Sequence, residues 1–279
     1  MIRLRLLALA GVASLATLAA PRLAAAQTSA ARPAPATATA REKKPAAAAR
    51  PAGLAPVRFR LVLNGVYSVS GPSYSDTREL SEYAETTTLR TSYEAKGAFG
   101  PDAALQVSLF RGLGVLVGFS SLSRDVSGTV DVSRPHPLYL DRARSASSAL
   151  SGYAAKETAL HLDLAYAGSR SRVDWTIFAG ATMFSVDADL LGTPTYTEAY
   201  PYDELKIAST PSASVSESKT GFNVGARVDY RFGAAGRFGA GVQVRYSAAS
   251  IALEAASATS AASYDAGGLE VGAGLRLFF

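Results

Sequence analysis

The stretch Phe222-Asn-Val-Gly-Ala-Arg-Val-Asp-Tyr-Arg-Phe232 decides the architecture. Phe222, Val224, Ala226, Val228, Tyr230 and Phe232 alternate with Asn223, Gly225, Arg227, Asp229 and Arg231. A β-strand sends successive side chains to opposite faces, so one face here is wholly apolar and the other holds every charge. A helix would scatter those charges around its surface. The same period governs Leu160, Leu162, Leu164 and Tyr166 against His161, Asp163, Ala165 and Ala167. It returns in Leu269, Val271, Ala273, Leu275, Leu277 and Phe279 against Glu270, Gly272, Gly274 and Arg276.

Working outward, the period predicts eight strands, at about 57–68, 88–110, 115–132, 157–168, 173–187, 219–232, 237–254 and 264–279. The second and third are long, and Gly97, Gly100 and Pro101 are places where they are expected to break. No helix is expected between them, and consecutive strands should pair antiparallel. The connections alternate in length. Arg111 to Gly114, Ser169 to Arg172 and Gly233 to Gly236 are tight turns, whereas 69–87, 133–156 and 188–218 read as long polar loops. A further hairpin inside 133–156 or 188–218 would raise the count to ten. Long loops at one end and tight turns at the other fit a transmembrane barrel.

Alternation alone is also compatible with a soluble barrel of the lipocalin type, whose apolar face points inward. Three features favour lipid. Aromatics gather near the tight turns (Phe59, Phe110, Tyr166, Trp175, Tyr230, Phe232, Phe238) and again near the opposite ends (Tyr67, Phe119, Phe222, Tyr246). Ten residue steps from Phe222 to Phe232 at about 3.3 Å and a tilt of about 45° span about 23 Å, close to the ~25 Å apolar band of such barrels. The polar face mixes glycine with arginine, as a narrow filled lumen requires. The third feature is the N-terminus taken with the absence of cysteine. Arg3 and Arg5, the apolar run Leu6 to Ala20 and Ala24-Ala25-Ala26 read as a signal peptide over 1–26. Residues 27–56, rich in Ala, Pro and Thr, hold only Leu54 as a large aliphatic and are expected to form a disordered linker. The barrel domain is expected over 57–279.

Composition closes several routes. The chain of 279 residues has no Cys and two His, which excludes disulfides, thiolate sites and multi-histidine metal centres. The net charge of +5 misleads, because residues 1–56 hold eight basic side chains and one acidic, leaving twenty basic and twenty-two acidic beyond them. No nucleic-acid partner and no cofactor are expected.

The alternating strands, the signal peptide and the ending Leu275-Arg276-Leu277-Phe278-Phe279 resemble the small outer-membrane β-barrel family typified by the OmpA transmembrane domain and OmpX. The resemblance implies an eight-stranded antiparallel up-and-down barrel in a bacterial outer membrane, with periplasmic termini. It implies an assembly signal carried by Val271, Leu275, Leu277 and Phe279 and read by the barrel-assembly machinery. Family members serve as anchors, adhesins, resistance factors, small channels and, in a few cases, enzymes. Outer-membrane lipid and lipopolysaccharide are the partners implied, and a monomer is expected.

Three candidate sites follow. Arg58, Arg60, His161, Asp163, Asp174, Arg227, Asp229, Arg231, Arg245, Glu270 and Arg276 fall on the polar face. Charges in a narrow lumen must pair, so a plug of ion pairs is expected, with a narrow ion or small-solute pore as the alternative. His161 and Asp163 share a face, yet they match neither the His–Ser spacing of the lipid A deacylases nor the wider motif of the outer-membrane proteases. No catalytic residue is assigned. Tyr196, Tyr200 and Tyr202, set among Glu198, Asp203 and Glu204, suit recognition by a surface loop, without the ordered spacing of a calcium loop. Arg134, His136 and Arg142 suit the anionic groups of lipopolysaccharide.

Overall fold

The computed structural model describes residues 58–69, 71–254 and 260–279. The expected signal peptide and linker lie outside the described residues. Twelve strands follow in chain order: β1 (Phe59–Ser68), β2 (Ser73–Glu82), β3 (Glu85–Ala95), β4 (Ala98–Phe110), β5 (Leu113–Pro135), β6 (Ala143–Arg170), β7 (Val173–Leu191), β8 (Thr195–Thr197), β9 (Lys206–Ser209), β10 (Ser212–Phe232), β11 (Phe238–Leu253) and β12 (Ala262–Phe278). Eight of them, β1, β4, β5, β6, β7, β10, β11 and β12, pair antiparallel into a closed ring. β1 closes it against β12, with Leu63 opposite Leu275 and Ser68 opposite Glu270. Closure gives each of these eight strands a partner on both sides, as a sheet in lipid requires.

Of the two long strands expected, the second in the chain is interrupted between β3 and β4, whereas the third is continuous as β5. β4 pairs with β5 over Leu113 to Ser120, and β3 takes its place over Val126 to Ser133. The break falls at Lys96-Gly97, where Gly97 packs against Tyr67. β2 continues the line of β1 and touches the chain before β12 through the Thr77–Ser260 bridge.

The long loops expected at 69–87, 133–156 and 188–218 are mostly strand. β2 and β3 fill the first, β5 and β6 run through most of the second, and β7 and β10 extend into the third, which also holds the short β8–β9 hairpin. The period of two persists there, but Ser, Thr and Ala replace Leu and Phe on the outer face, so the segments read as polar loops. A bulge at Ser151-Gly152 shifts the parity of β6, and Gly152 takes φ 80°, which suits glycine.

β6 has 28 residues. At about 3.3 Å per residue and a tilt of about 45° it rises about 65 Å, well over twice the ~25 Å band. The strands therefore carry two tiers. Nearer the tight turns, Leu160, Leu162, Leu164 and Tyr166 point outward and are exposed, while His161 and Asp163 are buried inside. Nearer the long connections, Lys156 and Ala154 point outward, and Ala155 and Tyr153 are buried inside. The same reversal occurs on β12, from Leu269 outside and Glu270 inside to Asp265 outside and Tyr264 inside.

Candidate functional site: the filled lumen and its cap

In the lower tier, six arginines (Arg60, Arg124, Arg227, Arg231, Arg245, Arg276) and six carboxylates (Asp102, Glu157, Asp163, Asp174, Asp229, Glu270) are all buried, and each carboxylate but Asp163, which faces Asn223, stands against an arginine. The numbers balance, which suits a space where an unpaired charge is costly. Nearest the tight turns, Asp174 accepts a two-pronged hydrogen bond from Arg231, both contacts 2.7 Å, and a third from Arg60 at 3.0 Å. The Phe278 ring lies between these two guanidinium groups, each 5.0 Å from its centroid. One level up, Asp229 holds Arg276 at 2.6 Å, Arg60 at 3.1 Å and Arg227 at 3.2 Å. Arg227 also donates to Gln106. Arg276 donates to Asn64 at 2.6 Å, and Asn64 donates onward to Asp102 at 2.7 Å. Asp102 also receives Arg245 at 2.8 Å and Gln243 at 3.1 Å. Glu270 stands 3.7 Å from Arg245. Higher still, Arg124 reaches Ser68 at 3.1 Å and Glu157 at 3.8 Å.

Between these levels Phe178 fills the lumen with Val62, Ala104, Leu116 and Ala165. Gly225 makes room for it, because a Cβ there would lie 2.4 Å from the ring. That is a physical reason for glycine on the inner face of β10.

His161 is locked by its neighbours. Arg245 can only donate, so Nε2 of His161, 3.1 Å away, accepts; it also takes the Ser120 hydroxyl at 3.2 Å. Nδ1 then carries the proton and donates to Thr182 at 2.8 Å. Asp163 turns instead to Asn223, at 2.7 Å. His161 and Asp163 are thus not a pair in space, although they share a face. The two hydroxyls on its ring come from other strands, Thr182 from β7 and Ser120 from β5, partners that spacing within one strand does not show. The guanidinium on Nε2 leaves that nitrogen no free lone pair with which to act as a base.

Arg58 is the one residue of the expected polar network that stands apart. It lies beyond the last pair of β1, is exposed at the tight-turn rim and joins no ion pair among the described residues. Parity placed it on the inner face, and its backbone still bonds Phe279 and Ser108, but at the rim nothing covers the side chain and it stays exposed. Leu275, Val271 and Phe279 point outward on β12 or just past it and are exposed, with Leu277 partly covered.

The upper tier is filled by a different chemistry. Leu89, Val130, Val132, Leu150, Phe184, Val186, Leu190, Ile251 and Leu253 are buried together with four tyrosines. Tyr74 stacks on Tyr93 at 4.7 Å, and Tyr264 and Tyr153 flank the pair. The Tyr93 hydroxyl accepts the Leu191 backbone N–H at 2.8 Å, and Tyr153 donates to the Thr210 carbonyl at 2.9 Å. Burial pushes the Tyr74 and Tyr93 hydroxyls well above the ordinary tyrosine range.

Above this core, residues 192–211 fold back as a cap. Glu198 accepts Arg134 at 2.5 Å and Arg144 at 3.2 Å, and Arg134 also binds Glu82 at 2.6 Å. Arg144 donates to the Tyr202 carbonyl at 2.9 Å, Arg142 pairs with Asp203 at 3.0 Å, and Leu205 is buried in the core. Burial opposes the Glu82 carboxylate, yet the hydrogen bonds from Arg134 and Thr87 outweigh it and hold its pKa below the ordinary value. Tyr196 is half-buried under the Arg134 guanidinium, 4.9 Å away, so it belongs to the cap and not to a free surface. Tyr202 is partly covered, whereas Tyr200 is 81% exposed. Leu138, Tyr139 and Leu140, at the turn between β5 and β6, form an exposed apolar tip that sequence reading missed. Its only signal was the unbroken apolar triplet within a polar stretch.

Fold and site together define a closed eight-stranded barrel with an apolar outer belt and a filled interior. No known protein-family signature matches the chain, and no curated protein is significantly similar to it. Among solved structures it is similar to OprG from Pseudomonas aeruginosa, an outer membrane protein, at 13% identity over 81% of this chain and 98% of that one, with a TM-score of 0.47. Neisserial surface protein A is similar at 11% identity over 79% and 97%, with a TM-score of 0.40. Ail of Yersinia pestis, the attachment invasion locus protein, solved with the heparin analogue sucrose octasulfate, is similar at 12% identity over 79% and 99%, with a TM-score of 0.33.

Proposed function

We propose that the chain is an integral outer-membrane barrel whose interior is closed and whose work is done by the cap it holds outside the membrane, in envelope structure or surface recognition. The observation that carries this reading is the pair of exposed and buried faces in the lower tier. A continuous ring of exposed Leu, Val, Phe, Tyr and Trp surrounds buried, mutually paired charges, an arrangement suited to lipid outside. In this reading the tight turns face the periplasm and the cap faces outward. Tyr200, Leu138, Tyr139 and Leu140 are the recognition surface, held in place by the Arg134, Arg142 and Arg144 ion pairs. Neither a pore nor a hydrolase is supported: the lumen is filled in both tiers, and His161 is held by Arg245 behind the wall.

Planar-bilayer recording of refolded protein tests closure. No steady single-channel steps are expected; steps abolished by Arg227→Gln or Glu270→Gln would overturn the reading. Orientation is read from single cysteines, because the chain has none of its own. Tyr200→Cys should react with an impermeant maleimide on intact cells, and Ala234→Cys only after the outer membrane is opened.

A further inference from the structure

The tight-turn end carries five exposed arginines and no exposed acidic side chain among the described residues. Arg111 occupies the β4–β5 turn, Arg170 and Arg172 flank the β6–β7 turn, Arg237 precedes β11, and Arg58 precedes β1. The side-chain carboxylate nearest these turns in sequence, Asp174, is fully buried and held by Arg60 and Arg231. None of the five forms an ion pair among the described residues. The opposite end differs in three ways. Sixteen carboxylates stand there with nine basic side chains, Arg134, Arg142 and Arg144 are all paired, and the four described lysines all lie there. Among the described residues, the cations at the tight turns are therefore unpaired and are all guanidinium groups.

Their depth is set by the ring of aromatics beside them. Phe59, Phe110, Tyr166, Trp175, Tyr230, Phe232 and Phe238 are exposed at the same end, and the Arg111 guanidinium lies 4.9 Å over the Phe110 ring. Such a ring marks the level of lipid headgroups, and the arginines sit just beyond it. A planar guanidinium meets two oxygens of a phosphate at once, which an ammonium cannot do. From unpaired charge, depth and residue type, we propose that this rim is a docking surface for anionic phospholipid headgroups, drawing phosphatidylglycerol-like lipids into contact with the barrel at its tight-turn end. The proposal rests on the belt being in a bilayer.

Trp175 is the only tryptophan and is exposed within this ring, so its fluorescence reports the lipids that touch it. Full-length protein is refolded into vesicles containing either brominated phosphatidylglycerol or brominated phosphatidylcholine at equal mole fraction. The anionic lipid should quench Trp175 about two- to fivefold more effectively at low salt. The preference should fall toward parity in 0.5 M NaCl, where charges are screened beyond about 4 Å. It should also be lost in the Arg111→Gln, Arg170→Gln, Arg172→Gln and Arg237→Gln combined variant, whose folding is checked by heat-modifiable gel migration. Equal quenching by both lipids would overturn the rim proposal alone, while quenching by neither would overturn the membrane reading beneath it. If the variant does not fold, a preference in the unaltered protein that is indifferent to salt still refutes the proposal. So would polyglutamate that abolishes the preference at matched ionic strength, because the rim would then belong to a soluble acidic partner.

Discussion

The lower and upper halves of this barrel are built from the same strands and have opposite polarity. Below, leucines face out and arginines face in. Above, serines and aspartates face out, and a tyrosine, leucine and valine core faces in. On β6 the exchange is complete within a few residues: outward Leu160 gives way to Lys156, and inward His161 gives way to Ala155. The backbone ladder does not change across this boundary, since β6 pairs with β7 without interruption from Ala155 to Arg170. On the proposed membrane reading, what changes is the solvent against which each face must be stable. Lipid cannot hydrogen-bond, so below the boundary charges move inside and satisfy each other. Water competes for polar groups, so above it the apolar side chains pack inside. One strand can therefore hold two packing schemes, provided each lies in its own medium.

The comparison breaks most severely at Asp229, the carboxylate shared by Arg60, Arg227 and Arg276. Asp229→Ala leaves buried guanidinium groups without their common partner and should cost about 3–5 kcal/mol. Urea unfolding from lipid vesicles measures this. An unchanged midpoint would mean that the lower interior is hydrated and not a plug.

The upper half yields to a cavity. Leu190, fully buried, should cost about 2–5 kcal/mol when changed to Ala. Hydrogen exchange should rise in β2, β3 and the upper part of β7 while the belt segments stay protected. Uniform loss of protection would show that the two halves unfold as one unit.

The two outer faces can be set against each other on a single strand. Leu162→Arg places a cation in the belt and should cost about 2–4 kcal/mol. Ser147→Arg, at an exposed outward position higher on β6, should stay within about 0.5 kcal/mol. Equal costs would mean that both faces see the same medium.

The smallest effect concerns the cap and pH. Glu82 has a folded pKa below its unfolded value. Its contribution is therefore complete above the ordinary glutamate value of about 4.3 and is lost as pH falls through the lower folded value. As Glu82 is partly exposed, no more than about 1 kcal/mol is expected. Proteolysis of residues 192–205 should quicken below about pH 4, and Glu82→Gln should remove that dependence. A cap equally resistant at pH 3 and pH 7 would show that Leu205 and the apolar core hold it without the ion pairs.

The lower half was legible because its period of two contrasts large apolar groups with charges, and little else produces that contrast. Arg60, Asp174, Arg227, Asp229, Arg231, Arg245, Glu270 and Arg276 could all be placed on the inner face by parity. Their partners could not, since Arg60 and Asp229 are 169 residues apart in sequence. The upper half was misread because Ser, Thr and Ala on a water-facing strand resemble a loop, and because the Ser151-Gly152 bulge resets the parity of β6 midway.

By itself, the order of residues determined that the chain forms strands, which side chains share a face and where the tight turns fall, because these depend only on local backbone geometry. Tertiary structure alone decided that His161 meets Ser120 and Arg245 rather than Asp163, that Tyr196 is held under Arg134, and that each strand changes its packing scheme partway along. Those outcomes depend on how eight strands are staggered around a common axis, and a stagger is a relation between distant segments that no single segment encodes.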